Sequence, residues 1–304
     1  MKKIIVLVAS IFTFATTVFA QEKMNLLMKD GSVVSYNVDD ILSFYFTGAG
    51  QNPQIVENCG IAINDELALT DKFALDLTYE SEVEYVMIGV YTPENYNEAI
   101  GDDAIVEELG INGVRIDKST TIVTAGNMPE GKNLTVVFTG FNNQGKHGPV
   151  YRHQIQTHVE ADQPKAVVTS CFFNSSAFLY TIEMDDKAQS FYLFEDISNN
   201  VELMQTAAFG MLWRQAIAAN PTKGLYSTGT TITKQRPNGE TQLYVATWAL
   251  GQNSQYSGYI FEGLYDVSAS GVMRRAYSLS NRGIEAYNKE ECLKIIKDMN
   301  RIVP

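Results

Sequence analysis

Apolar and polar residues alternate along most of this chain. In the stretch beginning at Leu134, the residues Leu134, Val136, Phe138 and Gly140 alternate with their neighbours, and the run starting at Tyr244 places Tyr244, Ala246, Trp248 and Leu250 in the same way. A period of two is the mark of a strand with one face on a core. These two runs sit inside longer matching segments. "TTIVTAGNMPEGKNLTVVFTGFNN" from Thr120 and "TTITKQRPNGETQLYVATWALGQN" from Thr230 align without gaps 110 residues apart. So long a period points to duplicated domains and not to a solenoid.

The duplication extends upstream. "FALDLTYE" from Phe73 corresponds to "FLYTIEMD" from Phe178, and each is followed by a second apolar run, "EYVMIGVY" and "FYLFEDI". Between that run and the shared Thr-Thr-Ile lies a helical segment, Tyr96 to Leu109 in one copy and Val201 to Ala218 in the other. Each copy is thus predicted as strand, strand, helix, strand, strand, strand, with turn signals such as "NNQG" and "PNGE" between strands. Short alternating strands need a second sheet over their apolar faces, so the pattern predicts two β-sandwiches with helical insertions.

The segment "PEGKNLTVVFTGFNNQGKHGPVYRHQIQT" resembles the closing half of a fibronectin type III domain, with Leu134, Val136, Phe138, Gly140, Asn142 and Gly145 at the positions of its alternating strand and Asn-x-x-Gly turn. The resemblance covers some 40 residues of each copy and implies an Ig-like sandwich. It also implies that Tyr244 is the corner tyrosine of such sandwiches.

The flanks differ from the copies. The first twenty residues read as a secretory signal, with Lys2 and Lys3, an apolar stretch from Ile4 to Phe14 and Val18-Phe19-Ala20 before Gln21. "MNLLMKDGSVVSYNVDDILSFYF" reads as a hairpin turning at Asp30-Gly31, and it resembles the leading hairpin of exported proteins of Gram-negative gut anaerobes. "TGAGQNPQ" follows as a linker. At the other end Asn288 and Glu291 form a capping pair, and Cys292, Ile295, Ile296 and Met299 share one helix side. The expected organisation is therefore a signal at 1–20, a hairpin and linker at 21–50, one sandwich at 51–163, and a second at 164–304 carrying the C-terminal helix.

Composition narrows the function classes. The net charge is −12, and −14 once Lys2 and Lys3 leave with the signal. Nucleic acid and anionic membrane are therefore excluded as expected partners, because their binding rests on neutralising basic side chains. No apolar run after the signal is long enough to span a membrane. Three cysteines, Cys59, Cys171 and Cys292, leave at least one unpaired within the chain.

Candidate chemistry is sparse. All three histidines fall in "HGPVYRHQIQTH" (residues 147–158), His147 in a loop beside Gly148-Pro149 and the other two on the last strand of the first copy, Val150 to Val159. His153 and His158 differ by an odd number and so point to opposite faces, which argues against a metal site. Acidic pairs occur at Asp102-Asp103, Asp185-Asp186 and Glu195-Asp196, with no nucleophile elbow, phosphate loop or zinc motif. Neither a catalytic residue nor a cofactor is assigned. The helix "AAFGMLWRQAIAAN" has two apolar stripes, Met204/Ala208/Leu212 and Phe209/Trp213/Ile217, so it is predicted either to be sandwiched between layers or to face a partner. "LGQNSQYSGYIFEGLYD" sets tyrosines beside amides, the composition of sugar or peptide recognition. Trp213, Asn253, Tyr256 and Tyr259 are accordingly the expected ligand-binding residues. The sequence thus predicts an exported protein, in the periplasm, at the cell surface or outside it, that binds glycan or protein without catalysis. A carbohydrate-active hydrolase, its accessory subunit and a subunit of a surface assembly are the rival readings.

Overall fold

A computed structural model describes residues 23–27, 33–37, 58–173, 177–196, 201–235, 242–267, 273–276 and 283–299. The signal at 1–20, the Asp30-Gly31 turn, the 47–54 linker and the "PNGE" turn lie outside the described residues. The chain divides into two units, 1–51 and 52–304. In the first, β1 (Lys23–Leu27) and β2 (Val33–Asn37) pair antiparallel from Lys23↔Asn37 to Leu27↔Val33.

The second unit holds both copies. The first runs β3 (Ile61–Ala68), β4 (Lys72–Tyr79), β5 (Tyr85–Tyr91), α1 (Asp102–Asn112), β6 (Val114–Asp117), β7 (Ile122–Gly126), β8 (Asn133–Phe141) and β9 (His147–Gln156). The second runs β10 (Ala166–Phe173), β11 (Ala177–Met184), β12 (Ser190–Asp196), α2 (Val201–Met204), α3 (Ala207–Ala219), β13 (Leu225–Tyr226), β14 (Thr230–Gln235), β15 (Gln242–Leu250), β16 (Tyr256–Val267) and β17 (Met273–Ala276). β18 (Ile284–Tyr287) and α4 (Lys289–Met299) close the described chain.

Each copy is an antiparallel sandwich, and the two share one strand order. β3-β4-β7 and β10-β11-β14 form one sheet of each, while β6-β5-β8-β9 and β13-β12-β15-β16 form the other, the latter extended by β17. The tandem mostly-β sandwich class expected from the sequence is what the chain adopts. Two strands per copy escaped the pattern, the leading β3 and β10 and the short β6 and β13. Even the irregularities repeat. The bulge between Ile63 and Asp65 recurs between Val168 and Ser170, 105 residues on, and that between Thr139 and Phe141 recurs between Trp248 and Leu250, 109 residues on.

The value of 109 corrects the alignment at 110. A slip of one residue moves every side chain of a strand to the other face. Leu134, Val136 and Phe138 do fill the first sandwich core, but their counterparts are Leu243, Val245 and Thr247; Leu243 and Val245 lie in the second core beside Phe178, Tyr180 and Phe191. Tyr244, Ala246, Trp248 and Leu250 face the other way, out of their own sandwich. The alternation could not reveal this, because every residue from Leu243 to Leu250 is buried and β15 has a core on each side.

The second of those cores is the seam between the sandwiches. α3 is capped by Thr206, whose hydroxyl accepts from Phe209 N at 3.3 Å, and it ends at Asn220 ahead of Pro221. Every residue from Ala207 to Trp213 is buried. One side of the helix meets Phe194, Tyr244 and Trp248 through edge and tilted ring contacts of Phe209 and Trp213. The other side lies on β3, β4 and β7 of the first sandwich, so Leu67, Leu69, Ala74 and Ile122 join the same core. Gly210 marks the tightest approach, where a Cβ would come within 2.9 Å of both Leu67 and Ile260. Polar clasps bind the seam as well. Arg214 donates to Asp65 Oδ1 and Glu66 O, both at 2.7 Å, and the buried Lys72 meets Glu262 and Gln205 O, both at 2.9 Å.

After β17 the chain returns to the first sandwich with β18, while α4 lies against α3 of the second. β18 adds to the edge of β7, from Ile284↔Ala125 to Tyr287↔Ile122, giving that exposed edge its hydrogen bonds. Asn288 caps α4 by accepting from Glu290 N and Glu291 N, Lys289 pairs with the buried Asp76 at 2.5 Å, and Cys292 and Ile296 enter the seam beside α3.

Candidate functional site

The linker between the sandwiches, residues 157–165, organises the surface at their junction. It crosses the start of β16, where Gly258 has no side chain and the His158 ring takes its place; a Cβ there would sit 2.3 Å from the ring. Gly258 N donates to Gln163 Oε1 at 2.6 Å, Ser257 Oγ to Pro164 O at 2.8 Å, and His158 N to Leu69 O at 3.1 Å. Trp248 Nε1 donates to Ser257 O at 2.7 Å, so the buried indole holds the same segment from below. With so many bonds to backbone, the walls of any groove here are fixed before a ligand arrives.

Two grooves flank this crossing. The larger, of ≈ 610 Å³, runs between the linker and the loops of the second sandwich and is lined by Gln163, Gln189, Gln252, Asn253, Gln255 and Tyr256. Asp162, Asp186 and Lys187 also border it, although Lys187 Nζ is committed to Ala161 O at 2.5 Å. The smaller, of ≈ 380 Å³, has Tyr259 and Ile260 on one wall and Asp71, Glu130 and Glu160 among its acids. Lys165 Nζ sits 5.0 Å from the centre of the Tyr259 ring and also pairs with Glu160 at 2.7 Å.

The structure brings together two of the four expected ligand-binding residues. Asn253 is exposed and holds a left-handed turn (φ 58°), and Tyr256 stands beside it in the larger groove, with its ring backed by Trp248 and Tyr192 at 4.8 and 6.2 Å. Burial pushes the Tyr256 phenol above its ordinary value. Tyr259 lines the other groove. Trp213 borders a third hollow, of ≈ 100 Å³, but at 5% exposure its ring is spent on Phe194, Phe209 and Trp248. Gln163 and Gln189, from the linker and from the turn between β11 and β12, were missed by sequence reading; single glutamines outside any aromatic cluster carry no signal of their own.

The remaining candidates disperse. His147 is buried at the start of β9 with Nδ1 2.7 Å from Gly148 O, His153 meets Glu66 at 2.6 Å across to β3, and His158 lies in the linker. Asp102 pairs with Arg152 at 2.7 Å, Asp185 accepts from the backbone of Lys187 and Ala188 in a turn, and Glu195 accepts from Tyr180. Tyr244 does not make the corner expected of it, for its hydroxyl donates to Met204 O at 2.8 Å in the helical insertion, 40 residues upstream. Burial raises the thiol of Cys171 to about 12 and that of Cys292 to about 11, which makes both poor nucleophiles.

No protein-family model matches the chain, and no curated protein does. Among solved structures it is similar to a two-domain fibronectin type III segment from chicken tenascin (11% identity, 68% of this chain and 97% of that one, TM-score 0.25). It is also similar to the FN1-FN3 domains of chicken CNTN1 (10%, 80% and 76%, TM-score 0.28) and to fibronectin(III)-like modules of Clostridium thermocellum CbhA (10%, 67% and 92%, TM-score 0.22). The sandwich assignment itself rests on the strand order given above.

Proposed function

We propose that the protein is an exported, non-catalytic binding module that recognises a glycan through the larger groove at the sandwich junction. The amide lining carries this reading. A glutamine or asparagine side chain offers both a carbonyl acceptor and an N–H₂ donor, which is what a sugar hydroxyl demands, while the Tyr256 ring supplies an apolar plane for a pyranose face. The volume lies within the roughly 300–1,000 Å³ of small-ligand sites. Fixed walls and a linker clamped by backbone hydrogen bonds suit recognition, because little ordering remains for the ligand to impose.

The test is a titration of the protein with host, dietary and mucin oligosaccharides, beside Gln252→Ala and Asn253→Gly, two changes at exposed loop positions. Saturable binding weakened about tenfold by either variant is expected, since lost hydrogen bonds in a desolvated site cost on the order of 1–2 kcal/mol each. Binding that neither variant alters places the ligand elsewhere.

Hydrolysis is the second reading, favoured by the presence of Asp162 and Asp186 on the same groove, the type of carboxylate pair glycosidases use. It requires release of reducing ends from a bound oligosaccharide and loss of that activity in Asp162→Asn or Asp186→Asn. Binding without product rejects it.

A further inference from the structure

The repeated strand order shows what an uncovered face of the second sandwich is shaped to receive. In the first sandwich the outer face of β3-β4-β7 carries Leu67 opposite Ala74 and Asp65 opposite Asp76, with Ile122 and Thr124 alongside on β7. This face is filled by α3, the helix inserted between the third and fourth strands of the next sandwich. Gly210 of the helix admits Leu67, Arg214 takes Asp65, and Lys289 of the adjoining α4 takes Asp76. In the second sandwich the matching register on β10-β11-β14 sets Phe172 opposite Leu179 and Ser170 opposite Thr181, with Thr231 and Thr233 alongside on β14. Phe172 is 63% exposed and Leu179 37%. Among the described residues, the face that accepts a helix in one copy is thus open in the other.

The chain also has a helix to offer. α1 is inserted at the same point of the first sandwich as α3 in the second, and its inner side, Ile105 and Leu109, packs on its own sheet against Met87 and Val137. Its outer side presents Asp103, Glu107, Gly110 and Ile111, all exposed, with Ile111 at 76%. Gly110 is the notable residue. A glycine within a helix costs about 1 kcal/mol, and a Cβ at this position would touch nothing within 4 Å, so packing among the described residues does not call for it. In α3 the corresponding use of a glycine is to let a large side chain of the facing sheet approach.

Charge points the same way. The occupied face has acids at two places, Asp65 and Asp76, and receives helices bearing Arg214 and Lys289. At both places the open face has hydroxyls instead, Ser170 and Thr181, and the position four residues after Gly110, which matches Arg214, is the uncharged Val114, so charge is missing from both sides of the contact.

We propose that α1 of one molecule docks on the β10-β11-β14 face of a second copy, Phe172 against Gly110, repeating between molecules the contact that α3 makes within one. The two surfaces differ, so the association is head-to-tail and open-ended. It is independent of the groove reading.

Sedimentation of the exported chain at rising concentration tests it, with Gly110→Leu to fill the α1 hollow and Phe172→Asp to charge the sheet face. Both sites are exposed, and unchanged circular dichroism confirms each fold. The wild type is expected to form a series of lengthening oligomers, and each variant to weaken association by about tenfold or more. A mixture of the two variants retains one good helix and one good face, so it yields a dimer and nothing longer. A wild type that stays monomeric overturns the proposal, as does association indifferent to both variants or variants that fail to complement on mixing.

Discussion

At the scale of single residues, the buried tyrosines set a limit on the alkaline side. Burial raises the phenols of Tyr79, Tyr180 and Tyr244 above their ordinary value, with Asp76, Glu195 and Glu262 as the leading neighbouring charges in turn, and Tyr91 is pushed up to about 12. The folded chain therefore keeps protons that the unfolded chain releases near pH ~10. A group raised in this way stabilises the fold fully below pH ~10, and the contribution is lost as pH climbs through the folded value. Melting temperature should hold from neutral pH to about 9 and then fall, together with the appearance of tyrosinate absorbance. Tyrosines that ionise freely at pH ~10 in the intact fold contradict this. Trp213 is governed by burial too. Its truncation to alanine should cost about 3–5 kcal/mol of stability, since the ring is enclosed by aromatics, and the loss is read from denaturant midpoints. A binding defect in that variant would report unfolding and say nothing about a ligand.

At the scale of elements, the two helical glycines make opposite predictions. Gly210→Leu places a large side chain where a Cβ alone would lie 2.9 Å from Leu67 and Ile260, and overpacking of this sort costs about 1–3 kcal/mol or more. Gly110→Leu meets open space and gains helix propensity, so its melting point should stay level or rise. Equal effects at the two sites, measured by thermal melts, would mean that the seam yields easily. The same contrast shows what was legible in the sequence. The duplicated strands, the insertion helices, the two apolar stripes of α3 and the Asn288 cap could all be read from spacing. The face of β15 could not, because alternation is a signal only when one side of a strand is wet, and Tyr244, Ala246, Trp248 and Leu250 are buried against α3 while Leu243 and Val245 are buried in the sandwich. Nor could the return of β18 to β7, since a four-residue edge strand has too little pattern to name its partner. Of the candidate site, composition named Asn253 and Tyr256, which line the larger groove, and also Trp213, which is buried in the seam, because a core aromatic and an exposed aromatic look alike in one dimension.

At the scale of the molecule, the question is whether residues 58–299 behave as two domains or one. Tandem domains joined by a linker share small, polar interfaces and unfold separately. Here the seam is the largest of the cores: among the described residues its cluster holds 22 buried side chains, against 15 and 9 for the interiors of the two sandwiches. It contains residues of β3, β4 and β7 on one side and β12, β15 and β16 on the other, so separating the sandwiches would expose Leu67, Leu69, Ala74 and Ile122 as well as most of α3. It would also strand the Lys72–Glu262 pair, whose side chains are 10% and 15% exposed, and a buried charge deprived of its partner costs about 3–5 kcal/mol. β18 and α4 add a tie in the other direction, since the chain leaves the second sandwich to complete a sheet of the first. Each sandwich thus lacks part of its own cover when alone. Calorimetry should therefore show residues 58–299 unfolding in one cooperative transition, with calorimetric and van't Hoff enthalpies in agreement. A chain ending before Gly283 should melt at lower temperature in both sandwiches together, because β7 loses its neighbour and α3 loses Cys292 and Ile296. Two resolved transitions in the intact chain, or a truncation felt by the first sandwich alone, would show that the seam is a contact between independent domains. The groove walls on which the proposed recognition depends would then have no common support.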